Sequence, residues 1–316
     1  MKTIFISGCL GTVAIFTINE LLRKGYTVIG VDDCSCNPYE RCTEIIDSTN
    51  FHMYDTKFYN EENLFEKYSI DAILHLASKT VASESFKDPE TYCNVNIGYT
   101  ARLLKFAQTY NVKRFVFESS SAVYGNDTMP PNMERDKLDP CSIYGITKYA
   151  SEMLINNYYK QYGLETINLR CYNIFAPIHY YNINSIIPMF ALKILNNERI
   201  TLHNMGRPKR QFVHIDNIVH ANVLALETTN EDCYGQSFNI STTDVPMSLL
   251  DLVKMLYREL NMEENYILSE YVSDGDILLN WGHIRQATDV LGYRVQKNMY
   301  DGIMDYLHWF KTEYMR

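Results

Sequence analysis

Thr3-Ile4-Phe5-Ile6-Ser7-Gly8-Cys9-Leu10-Gly11-Thr12-Val13-Ala14 passes from a short apolar run, through two glycines three residues apart, into a segment with helical spacing that continues to Lys24. Thr27-Val28-Ile29-Gly30-Val31 is a second apolar run. Strand, helix and strand in that order make a βαβ unit. A tight turn between the first strand and the helix lets backbone amides and the helix N-terminus face a pyrophosphate. Gly8 and Gly11 serve turning and close approach, Thr12 and Val13 open the helix, and Ala14 is a small residue where helix packs on strand. Glycines after strands are common turn devices in their own right. The position of Asp32 adds the second signal, because a carboxylate at the end of the second strand can accept hydrogen bonds from both ribose hydroxyls of an adenosine. It would repel a 2′-phosphate, so the expected cofactor is NAD and not its phosphorylated form.

The alternation continues outward from this unit. Phe51 to Tyr54, Ala72 to Leu76, Arg114 to Ser119 and Glu165 to Arg170 read as strands. Helical patterns lie between them at Glu61 to Tyr68, Tyr92 to Tyr110 and Ser142 to Tyr162. Strands separated by helices imply a parallel sheet covered on both faces, and right-handed crossovers make it a doubly wound α/β fold of the Rossmann type. After Arg170 the rhythm loosens around Pro177, Pro188 and Pro208, with further patterns at Gln211 to Ile215, Ser237 to Ile240 and Ser248 to Leu260. The expected organisation is a nucleotide-binding domain at 1–172, to which 211–240 returns. A smaller, interleaved substrate-binding lobe is expected at 173–210 and 241–316.

Composition excludes several classes. At 46% hydrophobic and 21% charged residues the chain is globular and not disordered. A net charge of −9 disfavours nucleic acid and anionic membranes, which are bound through clustered Lys and Arg. No apolar run reaches the roughly 20 residues needed to cross a bilayer. Eight cysteines without a leader-like N-terminal segment read as reduced cytoplasmic thiols. Cys34, Cys36 and Cys42 lack a second ligand pair, so no metal is expected.

Tyr144-Gly145-Ile146-Thr147-Lys148 opens a helix, and a spacing of four places phenol and ammonium on one face. A tyrosine near pKa 10 is a poor base at neutral pH, and a fixed cation beside it favours the phenolate. Ser119, Ser120 and Ser121 end a sheet strand, and ligands bind in the crevice beyond the carboxyl ends of such strands. Alone, a Tyr/Lys pair or a serine triplet is an ordinary surface feature; the glycine turn upstream gives the combination its meaning.

The glycine turn, Asp71-Ala-Ile-Leu-His-Leu-Ala77, Ser119-Ser-Ser-Ala-Val-Tyr-Gly125 and Tyr144-x-x-x-Lys148 resemble the extended short-chain dehydrogenase/reductases, and within them the NAD-dependent epimerase/dehydratase family and its nucleotide-sugar 4-epimerases. Leu169 to Asn173 and Lys209 to Asp216 extend the resemblance into the second lobe, as do Gly275-Asp276 and Leu291-Gly292-Tyr293. The resemblance implies Tyr144 as general base, Lys148 as its partner and a ribose contact, and Ser120 as the catalytic hydroxyl, with Ser121 as a near neighbour. It implies NAD contacts at Asp55, Leu76, Ala77 and Tyr172 besides the glycine turn and Asp32. It places a nucleotide diphosphate sugar, a UDP-hexose or UDP-N-acetylhexosamine, against Asn173, His203 and Arg210, with Asn280 at the sugar. A homodimer through the helices near 92–110 and 144–162 is implied as well. The sequence departs from the family pattern at Ala14, at Asn204-Met205-Gly206, at Gln211 and at Ser273, where a second phosphate-binding arginine is usual. A 4-dehydrogenase or 4-ketoreductase and a 4,6-dehydratase are the alternative enzymes, although the acid pair of the dehydratases is replaced here by Ser121 and Ala122. A non-catalytic NAD-binding regulator is the reading from another class.

Overall fold

The computed structural model describes residues 2–57, 60–177, 185–272 and 275–314. Ser273 lies outside the described residues. Strands β1 (Thr3–Ser7), β2 (Thr27–Asp32), β3 (Phe51–Asp55), β4 (Ala72–His75), β5 (Arg114–Ser120) and β6 (Glu165–Cys171) join a seventh, Gln236–Ile240, in one sheet. Every neighbouring pair is parallel. The spatial order runs Gln236–Ile240, β6, β5, β4, β1, β2, β3, so the winding reverses between β1 and β4. That switch point is where an open parallel sheet leaves a crevice for ligands.

The strands are apolar on both sides because both faces are covered. Ile4, Ile6, Leu74, Val116 and Ile167 pack with helix α1 (Thr12–Arg23) and the helix Ile215–Glu227 on one face. Phe5, Ile73, Phe115 and Phe117 pack on the other, against helix α2 (Glu62–Lys67) and the helices Tyr99–Thr109 and Ile143–Tyr162. The second of this pair carries Tyr144 at its start. Ser142 caps that helix by accepting from the Gly145 amide, and Gly163 closes it in the left-handed conformation. The helix expected over 92–110 is entered through Pro89–Tyr92 and one wide π turn, Cys93–Gly98, that turns Asn96 inward.

The second core gathers Ile187, Phe190 and Ile194 with Leu252, Leu256, Ile303 and Tyr306. Short strand pairs frame it, including Asn173–Phe175 beside Phe212–His214. The strand expected from Gln211 to Ile215 is Phe212–His214, and Lys209–Arg210 just before it belongs to another small sheet. Gln211 is the joint. Its amide donates to the Thr242 and Asp244 carbonyls, and its oxygen accepts from Ser241 and the Gly282 amide. Ile284, Ala287, Leu291 and Tyr293 turn back into the core on the α1 face of the main sheet.

Candidate active site

The turn after β1 leaves little room for side chains. Gly8 has φ +72°, and a Cβ there would lie 2.8 Å from the Ala77 backbone. Gly11 caps α1 with no side chain bonded to the first-turn amides of Thr12 and Val13, which leaves that end open to an anion. Asp32 accepts from the Leu10 and Cys34 amides, which fixes its carboxylate at the rim of the turn. Burial raises its pKa, and the two amide bonds work against that. A groove of about 430 Å³ runs from Gly8 and Gly11 past Asp32 to Leu76 and Ala77. Its size, its glycine wall and its half-buried acid fit a dinucleotide. Thr56 lines this groove, whereas Asp55 accepts from the Lys57 amide beside it.

Beneath the groove, Ser7 Oγ accepts from the Leu76 and Ala77 amides and meets His75 Nδ1 at 2.7 Å. Burial drives His75 down to about 3, so the ring is neutral and ties β1 to Thr100 on its other side. Asn96 binds both the amide and the carbonyl of Lys79 and donates to Thr147. The wall of the groove is thereby fixed to the helix that carries Tyr144.

Tyr144, Lys148 and Ser120 converge at the carboxyl end of β5. The Ser120 hydroxyl stands by the Tyr144 phenol, where it favours the ionised form. Lys148, 2% exposed, donates to the Glu118 carbonyl at 2.7 Å and to Ser78 Oγ at 3.2 Å. Alternation along the strand end separates the three serines. Ser119 donates back to Glu152, Ser120 faces the phenol, and Ser121 accepts from Asn280. Burial pushes the Tyr144 phenol well above its ordinary value, and the Ser120 hydroxyl is what pulls against it. Burial also pulls the Lys148 ammonium down to about 8.

On the second lobe, Asn173 donates to the Gln211 carbonyl, and buried Arg210 forms a 2.8 Å ion pair with Asp276. Burial holds the guanidinium below its ordinary value while Asp276 opposes the shift. His203 is exposed and meets Tyr271 edge-on at 5.2 Å between ring centres. Tyr172 does not face the crevice. Its side chain is 1% exposed, packed against Gly282, and its hydroxyl has no hydrogen-bond partner. The preceding residue, Cys171, is the one within electrostatic reach of Tyr144 and Lys148. Among the described residues no group of three or more His, Cys, Asp or Glu could hold a metal. No described helix is long and apolar enough to cross a membrane.

Residues 4–241 match the NAD dependent epimerase/dehydratase family. The chain belongs to that family. The family's dependence on NAD agrees with the acid at Asp32 and with the glycine turn beside it. A UDP-glucuronate 4-epimerase of Thermodesulfobacterium geofontis is 27% identical over 317 residues, covering 97% of this chain and 95% of its own. A dTDP-D-glucose 4,6-dehydratase of Dictyostelium discoideum is 32% identical over 272 residues, covering 80% of this chain and 62% of its own. The crystal structure of the Thermotoga maritima UDP-glucose 4-epimerase with UDP-glucose is 25% identical, has a TM-score of 0.87 and covers 98% of each chain. The sequence pattern does not single out Thr56, Lys79, Asn96, Glu118 and Cys171, which line or brace the groove and the Tyr144 site in the structure. Strand parity at the end of β6 could have exchanged Tyr172 for Cys171; the others carry no local signal.

Proposed function

We propose that this chain is a nucleotide-sugar 4-epimerase that acts on a UDP-hexose, UDP-N-acetylhexosamine or UDP-hexuronate through a transient 4-keto sugar. The convergence of Ser120, Tyr144 and Lys148 at the mouth of the dinucleotide groove is the observation that carries this reading. In it the Tyr144 phenolate takes the proton of the sugar 4-hydroxyl, held in place by Ser120, and gives it back after the sugar has turned. Gly8, Gly11, Thr12 and Val13 hold the cofactor phosphates and Asp32 its ribose, while Lys148 grips the other ribose. When bound, NAD supplies the oxidised ring that accepts the C4 hydride and returns it to the opposite face. Arg210 and Asn173 hold the diphosphate so that the nucleotide stays fixed while the sugar rotates, and His203 stands at the base. We assign residues 1–172 with 211–240 to the cofactor domain and 173–210 with 241–316 to the substrate lobe, from which Ile284 to Tyr293 returns to the cofactor-domain core. The protein is read as a cytoplasmic homodimer, with its eight cysteines free.

The Dictyostelium relative brings a 4,6-dehydratase into view. That chemistry removes water from C5 and C6 and needs a further acid and base beside Ser120. Ser121 and Ala122 stand there instead, and the Ser121 hydroxyl is engaged by Asn280. Incubation with UDP-glucose, UDP-galactose, UDP-N-acetylglucosamine and UDP-glucuronate without added cofactor, followed by proton NMR, separates the two. A C4 epimer with no 4-keto-6-deoxy product is expected from at least one of them, and its absence from all would overturn the reading. Tyr144→Phe should lower kcat by about 10²- to 10⁴-fold while retaining NAD.

A further inference from the structure

Glu118 has no part in the reaction just described. It stands on β5 two residues before Ser120, so strand alternation places both side chains on the same face. Its main-chain oxygen holds Lys148 at 2.7 Å. Its side-chain Oε2 is closed off from solvent and has no hydrogen-bond partner. A carboxylate in that condition is costly unless an opposite charge stands near it. The ammonium that meets this need is Lys148, which is itself buried away from water.

The other titratable groups around the pair are Tyr144 on the same helix as Lys148, Cys171 on β6 and His75 on β4, with Glu152 one turn further along the helix. His75 stays neutral, and Glu152 is already engaged by Arg170 at 2.7 Å. Cys171 is pushed well up by burial, so it carries no charge near neutrality. Glu118 is thus left as the uncommitted negative charge within electrostatic reach of Lys148 among these groups.

We propose that Glu118 is a positioning residue whose carboxylate is the counter-charge that keeps Lys148 protonated inside the site, and that it thereby sets the pH window in which Tyr144 and Lys148 act together. The functional half of this statement rests on the reading of Tyr144 as the base. The electrostatics agree with it in sign. Burial pulls Lys148 down to about 8, and Glu118 is the largest influence pushing it back up. Burial pushes Glu118 up to about 7, and Lys148 pulls it back. The same negative charge raises the Tyr144 phenol. Removing it must therefore lower Lys148 and Tyr144 together.

In the pH dependence of kcat/KM the two limbs would report the coupled titrations of Tyr144 and Lys148. Glu118→Gln should move both limbs towards acid by about one unit, whereas Glu118→Asp, which keeps the charge, should leave them at the wild-type positions. A residue that only filled space would change the rate or the melting temperature and leave both limbs where they were. The direct measurement is a ¹³C NMR titration of the Lys148 Cε signal, assigned with Lys148→Arg, in lysine-labelled full-length protein with its cofactor bound. A lower midpoint in Glu118→Gln, with the wild-type value kept in Glu118→Asp, supports the proposal. An unchanged midpoint in a folded Glu118→Gln protein overturns it. Because this titration needs no turnover, it stands apart from the catalytic reading, which fails separately if Tyr144→Phe still epimerises.

Discussion

Gly8 and Gly11 look alike in the sequence and differ in what they tolerate. Gly8 sits at φ +72°, and an added methyl would press into the Ala77 backbone at 2.8 Å. Gly11 has φ −67°, an ordinary value for any residue, and its nearest obstacle is the Gly8 carbonyl at 3.1 Å. Gly8→Ala therefore carries a left-handed penalty of about 1–2 kcal/mol and displaces the wall formed by Leu76 and Ala77. It should lose at least about 1.4 kcal/mol of cofactor affinity, or tenfold, while Gly11→Ala should lose less. Isothermal titration of NAD into cofactor-stripped protein checks the order, and equal losses would show that the close approach at Ala77 is unimportant. The three serines at the end of β5 make the same point in another way. Adjacent in sequence, they reach Glu152, Tyr144 and Asn280 respectively, and a shift of one position would exchange their tasks.

Between elements, a buried ion pair fixes the register on which that site depends. Glu152, on the Tyr144 helix, and Arg170, on β6, are 2% and 5% exposed in their side chains and meet at 2.7 Å. Arg170 also donates to the Tyr124 hydroxyl and the Glu134 carbonyl, and Ser119 donates to Glu152, so helix, β5 and β6 share one network. Arg170→Met leaves a buried carboxylate unpaired and should cost about 3–5 kcal/mol. Glu152→Met combined with Arg170→Met should recover most of that loss, because two apolar side chains strand no charge. Urea denaturation of the two variants measures it, and a double variant as unstable as the single one would contradict the argument. Elements of this kind mark the limit of what the sequence tells. The sheet strands were legible because each is a short apolar run bounded by turns, and Asp32 because it ends one of them at a fixed distance from the glycines. The partnership of Arg210 with Asp276 joins residues 66 apart, and that of Asn96 with Lys79 depends on a π turn that no local pattern announces. Gln211 reads as one more strand residue, yet four side-chain hydrogen bonds make it the joint between two small sheets. The family resemblance puts Tyr172 at the cofactor, but β6 ends at Cys171 and the tyrosine turns into the core.

At the scale of the whole molecule, the cofactor groove lies beside helices whose outer faces are unevenly apolar. Ile146 and Met153, seven residues apart on the Tyr144 helix, are 47% and 57% exposed, and Tyr162 at its end is 56% exposed. Residues seven apart lie on one side of a helix. The neighbouring Tyr99–Thr109 helix is preceded by exposed Gly98 and carries half-buried Ala101 near its start, small residues that permit another helix to approach closely. The opposite faces of both helices are already spent on the sheet core. Covering the outer stripe with a second copy of the same pair would bury it in a four-helix arrangement, which a two-fold axis generates from one patch. Light scattering should then give about twice the 36.8 kDa chain mass for the wild-type protein. Ile146→Glu with Met153→Glu places two like charges per chain in that seam and should return the mass to that of one chain, with the NMR signature of the cofactor-bound fold retained. A wild-type protein that scatters as a single chain at micromolar concentration would rule this arrangement out. A dimeric double variant would show that the subunits meet elsewhere. A monomeric variant that still binds UDP-sugar would show that each chain holds a complete site.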